Sequence, residues 1–486
     1  TILFAIPSCN NMQKYEILNI CQQTGCTLKI IPSIYQMMDS GENGLSKKIR
    51  KVEIEDLLGR EPISLDVNNI IEYVAGKTVL VTGGGGTIGS ELCRQIADHS
   101  PKKLVIFDIY ENNAYQNALD AALLKQNDVP ADEKIDIFLI EADYALKYVD
   151  SDYTLDVVND IGLSKDALAD QYQYTKDIVT DSKGVQKGTT WQATPGLFAY
   201  RRSIAKDVLG TDDPDAVQAQ LSSWDKFNAV AEKASEKGYK MLSGYDDAYR
   251  VFSNNVSAPW VDSNNKIVID DNIMKWVDQT KTFTEKGYNN KSSLWDNVWQ
   301  ADQGPKGNVF GFFYSTWGIN FTLLGNALET PVKEGGKEEV GNGIYGDYAV
   351  CQGPQSYYWG GTWICAAAGT DNPNLIKEIM QTMTCDKDTE VQITKDTQDY
   401  TNTISGMNEL ANSDFKSDFL GGQNHIKLFA EAAPKINMKN ISAYDQGLNE
   451  EFQKAMKDYF DGNVTKDKAL DNFYKAATEK YPNLTH

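Results

Sequence analysis

Residues 78–108 read TVLVTGGGGTIGSELCRQIADHSPKKLVIFD. Thr78–Val81 is a short β-branched run, the mark of a buried strand. Four glycines follow, Gly83 to Gly86, then Thr87-Ile88-Gly89. Leu92, Cys93 and Ile96 share a helical face, and Pro101 lies just beyond the predicted helix. Leu104–Phe107 is a second strand, and it ends in Asp108. This order of strand, glycine turn, helix, strand and acid has a chemical reading. Gly83, Gly86 and Gly89 let the backbone turn tightly, approach a pyrophosphate and pack helix on strand. The helix N-terminus offers free N–H groups and a positive dipole end to phosphates. Asp108 lies 19 residues after Gly89, where a carboxylate accepts from adenosine ribose hydroxyls. The stretch predicts the opening of a dinucleotide-binding unit; the plain alternative is a glycine-rich structural turn.

Upstream, Asp66 can cap a short helix carrying Ile70, Ile71 and Val74 on one face, with Gly76 to end it. Downstream, the composition changes. Residues 1–113 hold 11 Lys+Arg and 13 Asp+Glu, against 47 and 68 in the whole chain of 486. Nearly all of the net charge of -21 therefore falls after residue 113. The first part has no Trp, and all nine lie beyond it. It does have four of the seven Cys (Cys9, Cys21, Cys26, Cys93). Scattered thiols suit a reducing compartment, whereas an acidic, thiol-poor, aromatic-rich chain suits an exported protein. The length predicts two to four domains at roughly 100–200 residues each. The acidic balance argues against nucleic acid or an anionic membrane surface as partner. No apolar run approaches the roughly 18–20 residues of a membrane span. The opening TILFAIPS has no basic flank and does not read as a signal peptide, so the chain reads as starting inside a domain.

The quoted stretch, with KVEIEDLLGREPISLD before it and ENNAY after it, resembles bacterial polysaccharide-biosynthesis proteins. These are nucleoside-diphosphate-sugar epimerase/dehydratases of the extended short-chain dehydrogenase type. The resemblance runs over about residues 1–115. It implies that residues 1–60 are the end of a nucleotide-fold domain and 61–115 a truncated Rossmann start. It also implies that Thr82, Gly83, Gly86, Thr87, Ile88, Gly89 and Asp108 line NAD(P). The family's catalytic half does not follow. Tyr172–Lys176 (YQYTK) has the Tyr-x-x-x-Lys spacing, but its surroundings do not resemble the family's catalytic helix.

Beyond residue 115 the chemistry is different. The three His (His99, His425, His486) are scattered, which argues against a metal site or a Ser-His-Asp arrangement. Asp461–Asp467 (DGNVTKD) imitates the start of a calcium loop but has Lys466 where glycine is needed, and a turn with Thr465 capping the next helix fits better. What distinguishes this part is aromatic residues beside amides, carboxylates and glycines. Examples are Trp191-Gln192, Trp295-Asp-Asn-Val-Trp299-Gln300, Tyr314-Ser-Thr-Trp317 and Tyr357-Tyr358-Trp359-Gly-Gly-Thr-Trp363. Sugars present flat C–H faces and a rim of hydroxyls, so a site for them needs aromatic platforms and hydrogen-bonding side chains. Trp224 and Trp276 read as core residues. Helices are predicted at Trp224–Lys237, Asn272–Glu285, Asn374–Thr384 and Asn449–Asp461, with strands at Lys134–Ile140 and Lys266–Ile269.

The segments GTTWQATPGLFAYRRSIAKDVLGT, FYSTWGINF, YYWGGTW and NISAYDQGLNEEFQKAMKDYFDGNV resemble extracellular solute-binding proteins of ABC importers, the family 1 carbohydrate-binding group. The resemblance covers residues 116–486. It implies an α/β fold of two lobes, periplasmic-binding-protein-like, closing on an oligosaccharide and delivering it to importer permease subunits. It implies an extracytoplasmic, membrane-associated place for this part, against a cytoplasmic one for the first. The ligand residues it suggests are Glu141, Asp143, Tyr144, Trp191, Gln192, Trp317, Trp359, Trp363, Gln423 and Asn424; Glu141, Gln423 and Asn424 fit a structural role as well. The simplest account is a chimera joined at about Asn112–Gln116. Its Rossmann-like β-α-β would stand in for the first lobe's opening strands, both folds being expected as parallel sheets. The main functional reading is oligosaccharide binding without catalysis, and the alternative is a truncated NAD-dependent sugar-nucleotide enzyme.

Overall fold

The computed structural model describes residues 111–486 throughout. Before them it describes the strands Ile2–Phe4 (β1), Leu28–Ile30 (β2), Arg50–Lys51 (β3), Thr78–Thr82 (β4) and Lys103–Phe107 (β5), and the single positions 17, 21, 24 and 102. The chain divides into two units, Thr1–Leu119 and Asp120–His486. In the first, β1 and β2 pair in parallel and β3 runs antiparallel to β2. β4 and β5 pair in parallel, with Thr78 opposite Lys103 and Thr82 opposite Phe107. Both strands predicted around the glycine turn are thus formed, and a parallel pair requires a crossover between them rather than a hairpin. Gly83, Gly86, Thr87, Ile88, Gly89 and Asp108 lie outside the described residues, as does the short helix expected after Asp66; Thr82 is the last residue of β4.

The second unit contains β6 (Ile137–Glu141), β7 (Gly188–Thr189), β8 (Gly196–Arg201), β9 (Gly311–Ser315), β10 (Tyr348–Cys351) and β11 (Thr362–Ala366). One sheet has the order β6-β11-β7 and the other β10-β8-β9. Every pairing in both is antiparallel, which corrects the expectation of parallel sheets for this part. The reason lies in how the chain passes between them. β6 and β7 run toward the crossing segments and β11 leaves them; β8 leaves them and β9 and β10 return. Segments 190–195 and 352–361 make the crossings, and 399–403 lies beside them. They are tied by main-chain bonds: Gly196 N–H to Tyr357 O (2.7 Å), Trp359 N–H to Thr194 O (3.1 Å) and Ala193 N–H to Tyr400 O (3.2 Å).

Each sheet has its own core. Beside the first, Val157, Ile161, Leu168, Ile364, Ile376 and Met380 form a buried aliphatic cluster. Beside the second, Phe198 packs against Phe227, Phe310 and Phe313 with ring centroids 5.3, 6.4 and 4.9 Å apart. Each such buried ring contributes roughly 1.5–3 kcal/mol. The helix Trp224–Glu236 supplies Phe227, Val230, Ala231 and Ala234 to that core, the i, i+3, i+4, i+7 stripe of an amphipathic helix. Ser223 caps it by accepting from Lys226 N–H at 3.3 Å. The other predicted helices form at Asp271–Lys286, Pro373–Thr384 and Asp445–Phe460. Thr465 caps the helix Lys466–Lys480, so DGNVTKD is a turn and helix start. The predicted strand Lys266–Ile269 does not form. Only bridges hold that stretch, Val261 to Ile267 and Lys266 to Thr485. No helix among the described residues is long and apolar enough to cross a membrane.

Candidate functional site

The C-terminal ends of β6 and β9 and the crossing segment after β10 converge between the two sheets. β6 ends at Glu141, and a single 3₁₀ turn, Ala142–Tyr144, follows. That turn carries Asp143, whose two carboxylate oxygens accept from both terminal nitrogens of Arg250, at 2.6 and 2.5 Å. Arg250 sits on the helix Tyr249–Ser253, which packs against Asp271–Lys286 beside the second sheet. The fork therefore joins one lobe to the other, in the bidentate geometry that makes guanidinium–carboxylate pairs strong. Asp143 beside it holds the Arg250 guanidinium above its ordinary range, outweighing the opposing effect of burial. Arg250 also lies 6.0 Å from the ring centre of Trp359, within cation–π reach.

A cavity of about 30 Å³ lies beside this pair, lined by Asp143, Arg250, Tyr358, Asp445 and Asn449 among others. It has room for water but not for a sugar ring. The lobes are closed on each other here. Burial pushes the Asp445 carboxyl up to about 7, against bonds from Ser442 that lower it, and nearby Asp143 adds to the rise. Accommodating a ligand at this point requires the lobes to part and the Asp143–Arg250 fork to open or re-aim.

Next to the fork three indoles cluster. Trp317 follows β9 and donates its indole N–H to Trp359 O at 2.9 Å. Trp295 stacks on Trp317 with centroids 6.1 Å apart and planes 18° apart. Trp295 is 47% exposed, has φ +73 and lies 5.9 Å from Trp359. The backbone here is specific to glycine. Gly360 has φ +74, and a Cβ on it would stand 3.0 Å from the Trp317 indole nitrogen. Behind the cluster, half-buried Asp399 accepts from Gln192 Nε2 (2.8 Å), Tyr400 N–H (2.8 Å) and the Thr316 hydroxyl. It ties the residue before Trp317 to the crossing segment 190–195 and to the adjacent segment 399–403.

The residues expected from the sequence divide into two groups. Asp143, Trp317 and Trp359 come together, with Glu141 opposite Thr362 at the strand end and Tyr144 buried against Tyr148. The others do not face the cleft with free groups. Trp363 is fully buried and donates its indole N–H to Thr175 O (2.8 Å), so it offers no platform. Trp191 packs on the aliphatic cluster of the first sheet. Gln192 spends its amide on Asp399 and on Thr362 N–H (3.1 Å). Gln423 bridges Val350 N–H and O, both at 2.8 Å. Asn424 caps the helix His425–Ala432 through Lys427 N–H (3.3 Å). In the Tyr172–Lys176 string, the Tyr172 hydroxyl pairs with that of Tyr400 at 2.5 Å while Lys176 donates to Leu168 O. Burial pushes the Tyr172 phenol up to about 12, unlike a catalytic base. The sequence reading leaves out two residues that the structure brings to this cluster, Arg250 and Trp295. Arg250 is one of only three Arg after residue 120, a scarcity that could have flagged it. Trp295 was noted in its motif but not carried to the site. Among the described residues no cluster of His, Cys, Asp and Glu could hold a metal ion.

Comparison with known proteins gives a two-part result. A family described as polysaccharide biosynthesis protein matches residues 79–180. The probable polysaccharide biosynthesis protein EpsC of Bacillus subtilis is 41% identical over 114 residues, 24% of this chain and 19% of that protein. The chain spans about a fifth of the length of the curated relatives it matches. In fold, the chain is similar to an extracellular solute-binding protein of family 1, with TM-score 0.64 and 16% identity, covering 83% of this chain and 99% of that one. It is also similar to the galacto-N-biose/lacto-N-biose I-binding protein of a Bifidobacterium longum ABC transporter. There the TM-score is 0.55 and the identity 14%, over 84% and 97% of the two chains. In fold the chain is thus similar to two-lobed α/β solute-binding proteins, while in sequence one segment of it is similar to polysaccharide-biosynthesis proteins.

Proposed function

We propose that residues 116–486 bind an oligosaccharide in the cleft between the two lobes and hand it to the permease of an ABC importer. The observation that carries this reading is the convergence of Trp295, Trp317 and Trp359 with the Asp143–Arg250 fork at the strand ends where the lobes meet. Indole faces suit sugar C–H faces, and a carboxylate–guanidinium pair suits the hydroxyl rim. Solved proteins of this fold support it, one of them in complex with lacto-N-biose. Glu141 and Tyr144 belong to the same rim in this proposal. The part would work outside the cytoplasm, next to the membrane that holds its permease.

The first part is proposed as the end of a nucleotide-fold domain (1–60) and the opening of an NAD(P)-binding Rossmann unit (61–115). There Thr82, Gly83, Gly86, Thr87, Ile88, Gly89 and Asp108 would line the cofactor. The 41% identity to EpsC favours a cytoplasmic sugar-nucleotide enzyme as the second reading for this part. Limited proteolysis tests the division, since release of an intact fragment cut near residue 115 speaks against a lobe shared by both parts. Isothermal titration of the full chain with neutral tri- and tetrasaccharides tests the main reading. Saturable heat that is lost in Trp317→Ala supports it. Absence of heat across the panel, together with NAD-dependent conversion of a nucleotide sugar, reverses the order of the two readings.

A further inference from the structure

One residue between the lobes holds a backbone conformation that its side chain disfavours. Thr194, in the crossing segment 190–195, has φ +44, and among the described residues it is the one β-branched residue with a left-handed φ. In that region Cβ crowds the following carbonyl oxygen, and branching stiffens the side chain further. Thr194 also precedes Pro195, whose ring pushes the residue before it toward extended backbone. Two separate preferences are therefore overridden at a fully buried position.

The bonds that hold Thr194 there all lead to the indole cluster. Its carbonyl oxygen accepts from Trp359 N–H at 3.1 Å and from the Ser315 hydroxyl at 3.4 Å. Ser315 is the last residue of β9, two before Trp317. Its own hydroxyl donates to Gly360 O at 3.1 Å. Gly360 and Gly361 have φ +74 and +102, so the second crossing segment is also left-handed where it meets Thr194. A Cβ on Gly361 would stand 3.1 Å from the Thr194 hydroxyl oxygen. Both crossing segments thus turn at one level, as hinge residues that absorb a change in φ and ψ do. At the glycines this conformation is free, and at Thr194 it costs energy.

We propose that Thr194 is a strained hinge and positioning residue: it sets Trp317 and Trp359 in the closed cleft, and its strain is released when the lobes part. The strain then favours opening, and sugar binding must overcome it. The proposal rests on the cleft reading for its purpose, but lobe closure can be measured without a sugar.

The test compares Thr194→Gly with Thr194→Ala in the full chain. Both lack the hydroxyl, and they differ in the cost of a left-handed backbone. The chain is labelled with 5-fluorotryptophan, and the ratio of closed to open lobes is read from the fluorine NMR signal of Trp359, assigned by Trp359→Phe. The expected ratio is roughly five- to thirtyfold higher in Thr194→Gly than in Thr194→Ala. Maltotriose, cellotriose and xylotriose, titrated separately, should bind Thr194→Gly more tightly than Thr194→Ala by up to the same factor. The signal of fully buried Trp276 reports folding; if Thr194→Gly is not folded, Thr194→Asn takes its place, since asparagine tolerates the left-handed region. Equal ratios in the two variants overturn the proposal, because the strain is then the same in both states; if the sugars still bind, the cleft reading stands without it. A higher ratio in Thr194→Gly with no sugar bound upholds the hinge and counts against the cleft reading instead.

Discussion

Asp143 and Arg250 join the lobes through one ion pair, and its strength can be worked from its geometry. Exposed pairs are worth about 0–1 kcal/mol. Removing one partner of a fully buried pair costs about 3–5 kcal/mol. Here the side chains are 23% and 21% exposed for Arg250 and Asp143, and both contacts are short. The pair falls between the limits, so a coupling of about 2 kcal/mol is expected. The perturbation is a double-mutant cycle of Asp143→Asn, Arg250→Met and the double variant. Methionine keeps the apolar stem near Trp359, so the cycle isolates the charge pair. All nine Trp lie in the second unit, so fluorescence-detected urea unfolding of the intact chain reports on that unit. Each single variant should lose about 2 kcal/mol, and the double variant should lose little more than either alone. Additive losses, with coupling below about 0.5 kcal/mol, would refute the claim that this pair holds the lobes together.

Three further outcomes are expected. Burial pushes the Glu390 carboxyl up to about 9, against bonds from Thr403 and Asn402 that lower it. Its folded value lies above its unfolded value, so its contribution to stability is full below about pH 4.5 and is lost as pH rises through about 9. Thermal melts should therefore fall between about pH 6 and pH 9 in the parent and much less in Glu390→Gln; parallel slopes would contradict the assignment. Gly360→Ala should cost about 1–2 kcal/mol for its left-handed backbone and displace Trp317, seen as a shift in tryptophan emission; an unchanged spectrum and midpoint would count against the described turn. Trp276 is fully buried among Tyr249, Phe452 and Phe460, so Trp276→Ala should cost about 3–5 kcal/mol in urea unfolding, and a loss under about 1 kcal/mol would mean that this core is not packed as described.

Much of the helical frame was legible because caps and the 3.6 period act locally. Thr465, read as a cap from the sequence, makes the capping bond, and Ser223 and Asp270 make the same bond at the starts of two of the predicted helices. The site was legible only in part. Asp143 and Trp317 follow strand ends, which local pattern can find. Arg250 meets Asp143 across 107 residues, and no local signal predicts such a contact. Trp359 and Trp363 share one motif, yet only Trp359 joins the indole cluster. β11 is buried almost throughout, so the alternation that separates an open face from a core face is absent there. Gln423 and Asn424 carry the same amide chemistry whether they bind hydroxyls or backbone, and the fold assigns them to backbone. The Lys266–Ile269 stretch has the residues of a strand but lacks a full-length neighbour to pair with.

The central claim, that a sugar is held between the lobes against the indole cluster, is tested most directly by tryptophan fluorescence of the full chain titrated with neutral oligosaccharides. Parent and Trp317→Ala should be measured side by side, with nucleotide sugar and NAD in a parallel assay. The account predicts a saturable spectral change in the parent, its loss in Trp317→Ala, and no conversion of the oligosaccharide. An unchanged spectrum with every oligosaccharide, alongside NAD-dependent turnover of a nucleotide sugar, would contradict it.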